Sequence, residues 1–273
     1  MGRVAVFCLV AALLVALFRP TLAWLVVSWR ADPYYSHGPL VVAVAAWLAW
    51  LAGRRYRLST HARPVKWPLG IGLVACGVIL HVVALAWAAY PISAAGLVAV
   101  LLGLAALAGG PDLTRTMLFP AILALTAIPL PLADRFAPPM AGAVAGWAAG
   151  AVRALGVHVT RTGALLALDG SAFTVGAPCS GLRSLVALGS LAVLWAGLLD
   201  DALWKRLIVV AAALPFALAG NWLRLTVLLL VAQGFGQQPA LNFFHNVAGP
   251  LFFLIATAGV AFVGRQLGCR LKP

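Results

Sequence analysis

Long apolar segments alternate with short polar connections along most of the chain. They lie at about 4–27, 38–53, 67–88, 92–109, 114–132, 180–199, 206–232 and 249–267. Most approach the roughly 20 residues with which an α-helix crosses a bilayer. The pattern predicts an all-α polytopic membrane protein with about eight transmembrane helices. We expect residues 1–273 to form a single integral membrane domain.

Residues 133–178 interrupt this pattern. Residues 137–156 are mostly Ala, Gly and Val, and counting them as a ninth span would reverse the side of every later loop. We therefore predict an extracytoplasmic helix that lies at the membrane interface. Asp169-Gly170 follows between two β-prone runs, which is a short-range signal for a hairpin. A short β-hairpin is therefore expected just ahead of Cys179.

Composition and charge support a membrane protein. The chain is 64% hydrophobic and 9% charged, which excludes an ordinary water-soluble domain. Its 19 Lys and Arg residues against six Asp give a net charge of +13. In a soluble protein this excess would suggest nucleic acid, but here the cations cluster in short loops. The most basic loop, at 53–66, is assigned to the cytoplasm. The prediction is a multi-pass protein of the cytoplasmic membrane with no nucleic-acid partner.

Cysteine and histidine spacing gives no sign of a metal site. The four cysteines include no CxxC pair, so neither a zinc site nor a disulfide framework is indicated. No cofactor is expected either. Cys8, Cys76 and Cys269 are interpreted as packing residues. His81, inside an apolar segment, is interpreted as a hydrogen-bonded interior histidine rather than a ligand.

Cys179 stands where a polar loop meets an apolar segment. Pro178 suits the start of a helix, and the free N–H groups of a first helical turn favour a nearby anion. Arg183, four residues later, would add a positive charge on the same face. Both effects are expected to lower the pKa of the Cys179 thiol and make it a nucleophile. The alternative is a small residue buried in the core.

Arg224 is a cation within an apolar run, and Asn221 precedes it by three residues. A charge inside a span is usually functional or paired, although an arginine can also extend to lipid phosphates. Alternation of the spans places Cys179, Arg224 and His245 on the same outer face. The three residues could therefore share one site.

These residue types suit acyl transfer. A cysteine thiolate can attack a peptide carbonyl while a histidine activates it or protonates the leaving amine. An arginine can stabilise the oxyanion or hold the thiolate. The backbone N–H groups of Ser180 and Gly181 are candidate oxyanion donors. Because no acidic residue lies nearby in the sequence, Asn221 or Asn246 is a candidate for orienting the histidine.

Three segments together resemble the signatures of the exosortase/archaeosortase family. They are PCSGLRS at 178–184, NWLR at 221–224 and HNVAG at 245–249. YSHG at 35–38 is also typical of bacterial members. The resemblance implies a membrane cysteine protease-transpeptidase, sortase-like in chemistry, with Cys179 as nucleophile and Arg224 and His245 completing a triad.

The same resemblance implies the substrate and the partners. Exosortases cleave C-terminal sorting signals, which combine a short motif such as Pro-Glu-Pro with a transmembrane helix and a basic tail (PEP-CTERM-like). The expected partners are therefore exported proteins carrying such a signal and membrane lipid, with a lipid or polysaccharide as candidate acceptor. The active site would face the extracytoplasmic side.

Two other classes remain open from the residues. In a transporter or lipid flippase, Arg224 and His81 would line a polar path across the membrane. No such continuous path or inverted repeat is evident in the sequence. A non-catalytic protein that only binds sorting signals would not need all three reactive groups.

Overall fold

The computed structural model describes residues 2–59, 68–131, 133–168, 171–175, 180–243 and 247–271. Cys179, His245 and Asn246 lie outside these ranges. The chain forms two compact units, Met1–Leu130 and Pro131–Pro273.

The first unit is helical. Its elements are α1 (Gly2–Leu17), α2 (Arg19–Ala31), α3 (Gly38–Ser59), α4 (Pro68–Ala86) and α5 (Tyr90–Leu125). Helix α5 packs against α2, α3 and α4. The sequence predicted two segments where α5 runs, and the structure joins them across a kink at Gly110, whose φ of 67° is not helical. Pro111 follows directly, so both halves can be helical while the axis bends.

Helices α4 and α5 make the closest contact in this unit. A Cβ added to Gly77 would lie 2.5 Å from the carbonyl oxygen of Gly96, and one added to Gly96 would lie 2.7 Å from that of Gly77. The two backbones therefore touch directly, as small residues permit between membrane helices. The connection between the helices is only three residues, 87–89.

A buried polar network links α2, α4 and α5. Ser93 Oγ lies 2.5 Å from Thr21 Oγ1 and 2.6 Å from His81 Nδ1. All three side chains are buried, and the His81 ring packs on Phe18 with 4.2 Å between centroids. The interpretation of His81 as a hydrogen-bonded interior residue is confirmed, because polar groups buried in an apolar setting require partners.

The second unit begins with α6 (Ala133–Ala154) and a small sheet, β1 (Thr160–Thr162), β2 (Leu165–Leu168) and β3 (Ser171–Thr174). Leu168 pairs with Ser171 and Leu165 with Thr174, so the two runs flanking Asp169-Gly170 form the predicted hairpin. A further strand was not predicted. Thr160–Thr162 pairs antiparallel with β2 around Gly163, whose φ is 63°.

The remaining helices are α7 (Leu182–Leu198), α8 (Leu203–Phe235), α9 (Gln237–Phe243) and α10 (Gly249–Gln266). One face of α6, with Val144, Ala148 and Val152 fully buried, packs with the sheet and with Leu225 and Leu229 of α8. Helix α6 begins four residues earlier than predicted and includes Pro138 and Pro139. Its position at a membrane interface stays a prediction.

The end of the chain returns to the connection between α7 and α8. Leu199 and Leu271 form an antiparallel bridge, and Asp200 N donates to Arg270 O at 2.8 Å. Asp201 accepts a hydrogen bond from Arg270 N at 2.7 Å and forms an ion pair with Lys205 at 3.0 Å. We call this arrangement the tail clip.

Four helices in the described part of the chain are long and apolar enough to cross a membrane: α4, α5, α8 and α10. The pair α1–α2, bent by 69°, adds a fifth span if it is counted as one. Helix α7 is apolar but has 17 residues. The structure therefore shows a helical membrane protein with several spans. By helix length and apolar character, the described helices do not reach the predicted eight spans.

The packing role predicted for the cysteines is wrong for two of them. Cys8 and Cys76 are exposed on their helices, and Cys269 is partly buried. Both exposed cysteines occupy apolar helices, where a side chain that points away from the protein meets lipid rather than a core.

Candidate active site

Three helices associated with the signature segments pack together. Helix α7 begins just after Cys179, α8 carries Asn221 and Arg224, and α10 begins at Gly249, four residues after His245. Each of these helices packs against the other two. The structure therefore brings together the helix that follows the 178–184 signal, the helix that carries the 221–224 signal and the helix that begins at the end of the 245–249 signal.

The segment leading into α7 is tightly held. Ser180 is fully buried, and its Oγ accepts a hydrogen bond from Leu182 N at 3.3 Å. Gly181 adopts a left-handed conformation (φ 86°, ψ −9°), and the helix begins at Leu182. Helical spacing therefore starts at Leu182, and the shared face expected for Arg183 and Cys179 stays a prediction because Cys179 lies outside the described residues. Arg183 is exposed in the first turn of α7.

Asn221 and Arg224 line one small cleft, which confirms that they share a face of α8. Ser184 of α7 and Gly249, Phe252 and Phe253 of α10 complete most of its lining. Asn221 is 4% exposed. The cleft measures about 10 Å³, which is near the minimum for a single water molecule. The side chains of an arginine and an asparagine therefore line this cleft, at a place where three helices are in contact.

The packing around Asn221 is close on two sides. A Cβ on Gly181 would lie 3.2 Å from Asn221 Cβ and 3.3 Å from its Nδ2. At the neighbouring residue, a Cβ on Gly220 would lie 3.2 Å from the carbonyl oxygen of Phe252. Helix α8 is therefore fixed against α10 at the same level at which it touches the segment before α7.

The charged residues of α7, α8 and α10 are all basic. No Asp or Glu occurs in α7, α8 or α10, whereas Arg224 lines the cleft and Arg183 precedes the cleft residue Ser184 in the sequence. Cations in a medium of low dielectric constant favour an anion, such as a thiolate or a developing oxyanion. The arrangement can stabilise negative charge and offers no carboxylate from these helices to act as a base.

An open apolar groove lies between α6 and α8. It has a volume of about 700 Å³ and is lined by Trp147, Gly150, Ala151, Pro215, Leu218, Ala219 and Trp222. Trp222 stands next to Asn221 in the sequence and two residues before Arg224. The groove and the cleft therefore share one stretch of α8.

Sequence reasoning missed Ser184 and the α10 aromatics Phe252 and Phe253 as parts of the site. Ser184 ends the PCSGLRS segment, so its place in that motif was an available signal. The two phenylalanines carry no such signal, because apolar residues in an apolar helix are indistinguishable until the packing is known.

Comparison with known protein families identifies a match over most of the chain. The family described as transmembrane exosortase (Exosortase_EpsH) matches residues 29–262. Curated proteins and solved structures gave no significant match. The family match spans both compact units and includes all three signature segments, and so the chain belongs to the transmembrane exosortase family.

Proposed function

We propose that the protein is a cysteine protease-transpeptidase that cleaves C-terminal sorting signals of exported proteins and transfers the products to an acceptor. Family membership supports a membrane protease or transpeptidase in general. The observation that carries the specific proposal is the meeting of α7, α8 and α10 at a cleft lined by Asn221 and Arg224.

Cys179 is the proposed nucleophile. It directly precedes buried Ser180 and so belongs to the segment that contacts α8. In the first step its thiolate sulfur attacks the scissile carbonyl carbon, and Arg224 and the backbone N–H groups of Ser180 and Gly181 stabilise the oxyanion. When the C–N bond breaks, His245 gives a proton to the leaving amine and a thioester remains.

The second step resolves the thioester. A hydroxyl or amine of a lipid or polysaccharide acceptor attacks the thioester carbonyl, His245 takes the nucleophile's proton, and Cys179 leaves as thiolate. Water in the same place would give hydrolysis. Asn221 or Asn246 supplies hydrogen bonds in this environment, since α7, α8 and α10 contain no carboxylate. Arg183 adds a positive charge at the start of α7.

The groove between α6 and α8 suits the apolar helix of a sorting signal. Gly150, Ala151 and Ala219 provide a surface of small residues on which another helix can approach closely. Because the groove and Arg224 share a stretch of α8, a helix seated there would bring its adjoining motif towards the cleft.

Eight spans with the site on the outer face remain the proposed topology. Helix α5 has 36 residues, about 54 Å of helix at 1.5 Å per residue. That is close to twice the thickness of a bilayer's hydrocarbon core, so its two halves on either side of Gly110 can each form a span. The basic loop at 53–66 then lies in the cytoplasm.

Replacement of Cys179 by alanine tests the function. We expect Cys179→Ala to abolish cleavage of a substrate with a C-terminal sorting signal while the substrate still co-purifies with the protein. Uncleaved substrate is measured by immunoblot, with membrane levels of each variant matched. Cys269→Ala, a cysteine of the tail, serves as the control and should process normally. Full processing by Cys179→Ala would refute a cysteine mechanism and favour a binding role.

A further inference from the structure

We propose that Asn221 is a positioning residue: its side chain sets the location of the backbone at Gly181, and thereby the placement of Cys179 relative to Arg224. The inference rests on the proposed function, because it assigns Asn221 a task in presenting the nucleophile. It differs from an oxyanion or histidine-orienting role, since the partner of Asn221 is the chain segment that carries the cysteine.

There is little free space between Gly181 and Asn221. The position that a Cβ would occupy on Gly181 lies 3.2–3.3 Å from three side-chain atoms of Asn221, tighter than most real contacts. Gly181 also has a φ of 86°, which L-residues with side chains rarely adopt. The segment thus approaches α8 more closely than a residue with a side chain usually does.

Asn221 is itself held in place. It is 4% exposed, and the neighbouring Gly220 lies against the backbone of Phe252 in α10. Asn221 and Arg224 are one helical turn apart and line the same cleft. A rigid α8 therefore fixes both the arginine and the surface on which the cysteine segment rests.

Cys179 is two residues from Gly181, so a shift at Gly181 is transmitted to the nucleophile through a short stretch of chain. Misplacement of a reacting group by about 1 Å can lower a rate by about 100-fold. Loss of the Asn221 surface is therefore expected to slow the chemical step without weakening the binding of the substrate's apolar helix.

The first experiment compares two glycines. Gly181 and Gly156 have similar φ angles, 86° and 83°, but a Cβ on Gly156 would meet nothing within 4 Å. Gly156→Ala therefore measures the cost of a side chain at a positive φ, and Gly181→Ala adds a tight contact with Asn221 at 3.2–3.3 Å. We expect at least about a tenfold larger fall in kcat for Gly181→Ala than for Gly156→Ala.

The second experiment removes the side chain of Asn221. We expect Asn221→Ala to lower kcat by about 10- to 100-fold while KM changes less than about twofold. Alkylation of Cys179 by iodoacetamide, which needs no alignment with a substrate, should stay near the wild-type rate. Thr226→Ala is the control for losing a buried hydroxyl from α8, where Thr226 Oγ1 donates a hydrogen bond to the helix carbonyl of Trp222 at 2.9 Å.

A double variant separates positioning from general destabilisation. If the two residues act through their contact, adding Gly181→Ala to Asn221→Ala should cost no more than Gly156→Ala costs in the wild-type protein. Fully additive losses, or wild-type kcat in Asn221→Ala, would overturn the proposal. If Asn221→Ala does not accumulate in the membrane, equal kcat values for Gly181→Ala and Gly156→Ala would overturn it instead. Processing by Cys179→Ala would refute the proposed function separately, whatever the Asn221 variants do.

Discussion

At the scale of single residues, Arg224 shows how the surroundings of a side chain define its possible role. Its side chain lines a cleft with the buried amide of Asn221, at a level where α8 is fixed against α10. A guanidinium offers five donors in a planar fork, whereas an ammonium is a compact charge with three. The geometry of the charge should therefore matter as well as its sign.

We expect Arg224→Lys to lower the cleavage rate by at least about 100-fold, comparable to loss of an oxyanion donor. The measurement is initial-rate kinetics on a sorting-signal substrate in membranes. Arg265→Lys, at an exposed arginine in the last turn of α10, is the control and should retain full activity. A fully active Arg224→Lys protein would show that only positive charge is required.

Residue spacing predicted the shared helix face of Asn221 and Arg224 but not the turn ahead of α7. The three-residue interval between Asn221 and Arg224 correctly placed both on one face, because that interval is nearly one helical turn. The start of α7 was not predicted, since Gly181 takes a left-handed conformation and delays the helix to Leu182. A glycine in a motif permits such a turn, but the sequence does not say whether the chain uses it.

At the scale of elements, helix α8 lines two concave features of the surface with different residues. One face lines the cleft with Arg224, and another lines the apolar groove with Pro215, Ala219 and Trp222. Filling the groove should therefore impair substrate binding without touching the reactive groups.

Gly150 allows this separation to be tested. A Cβ on Gly150 would meet nothing within 4 Å, so Gly150→Leu can project into the groove without a clash at its first atom. We expect the substrate KM to rise at least about tenfold while alkylation of Cys179 is unchanged. Gly189→Leu, at an equally open glycine of α7, is the control. An unchanged KM for Gly150→Leu would exclude this groove as the seat of the substrate helix.

The tail clip provides a pH-dependent element. The backbone N–H of Arg270 and then the Lys205 ammonium hold the pKa of Asp201 below its ordinary value of 3.8. A carboxyl with a lowered folded-state pKa stabilises the fold above its unfolded value, and this contribution is lost as the pH falls through the folded-state value. The clip should therefore loosen only at pH below 3.8.

Hydrogen exchange at the Arg270 amide measures this loosening. We expect its protection factor to fall as the pH drops below 3.8 in the wild-type protein. Asp201→Asn removes the titrating group, and its protection should show no such step. A step of equal size in both proteins would place the titration elsewhere.

Helices and strands were predicted well where the hydrophobic runs were long. They were predicted poorly where a turn determined whether an element ended or continued. Each of the eight apolar segments corresponds to helix, and the Asp169-Gly170 signal correctly indicated a hairpin. Strand β1 was missed because Thr162-Gly163-Ala164 is a weaker turn signal than Asp-Gly. The two segments that became α5 were separated at Gly109–Gly110 and Pro111, residues that bend a helix as readily as they end one.

At the scale of the whole molecule, the distribution of basic loops predicts which side each element faces. The loop at 53–66 and the tail with Arg265 and Arg270 belong to the cytoplasm in this scheme, and Cys179 to the outside. Charge bias reports orientation during insertion, whereas the packing of helices determines where the site forms. The sequence therefore predicts on which side of the membrane each loop lies. The contacts among α7, α8 and α10 become known only from the folded structure.

Labelling of single-cysteine variants checks the sidedness. With Cys8, Cys76 and Cys269 replaced, Cys179 should react with a membrane-impermeant maleimide in intact cells. A second variant that keeps only Cys269 should react only after permeabilisation, because Cys269 lies in the basic tail. The reverse result in the two variants would invert the topology.

The direct contact of α4 with α5 at Gly77 and Gly96 has a consequence for biogenesis. A connection of three residues and touching backbones leave no space for a lipid chain between the two helices at the crossing. The pair should therefore leave the translocon as one helical hairpin, with the second helix retaining the first until both enter the bilayer. Photocrosslinking of stalled nascent chains would then show α4 still beside the translocon while α5 is being synthesised, and release of both together.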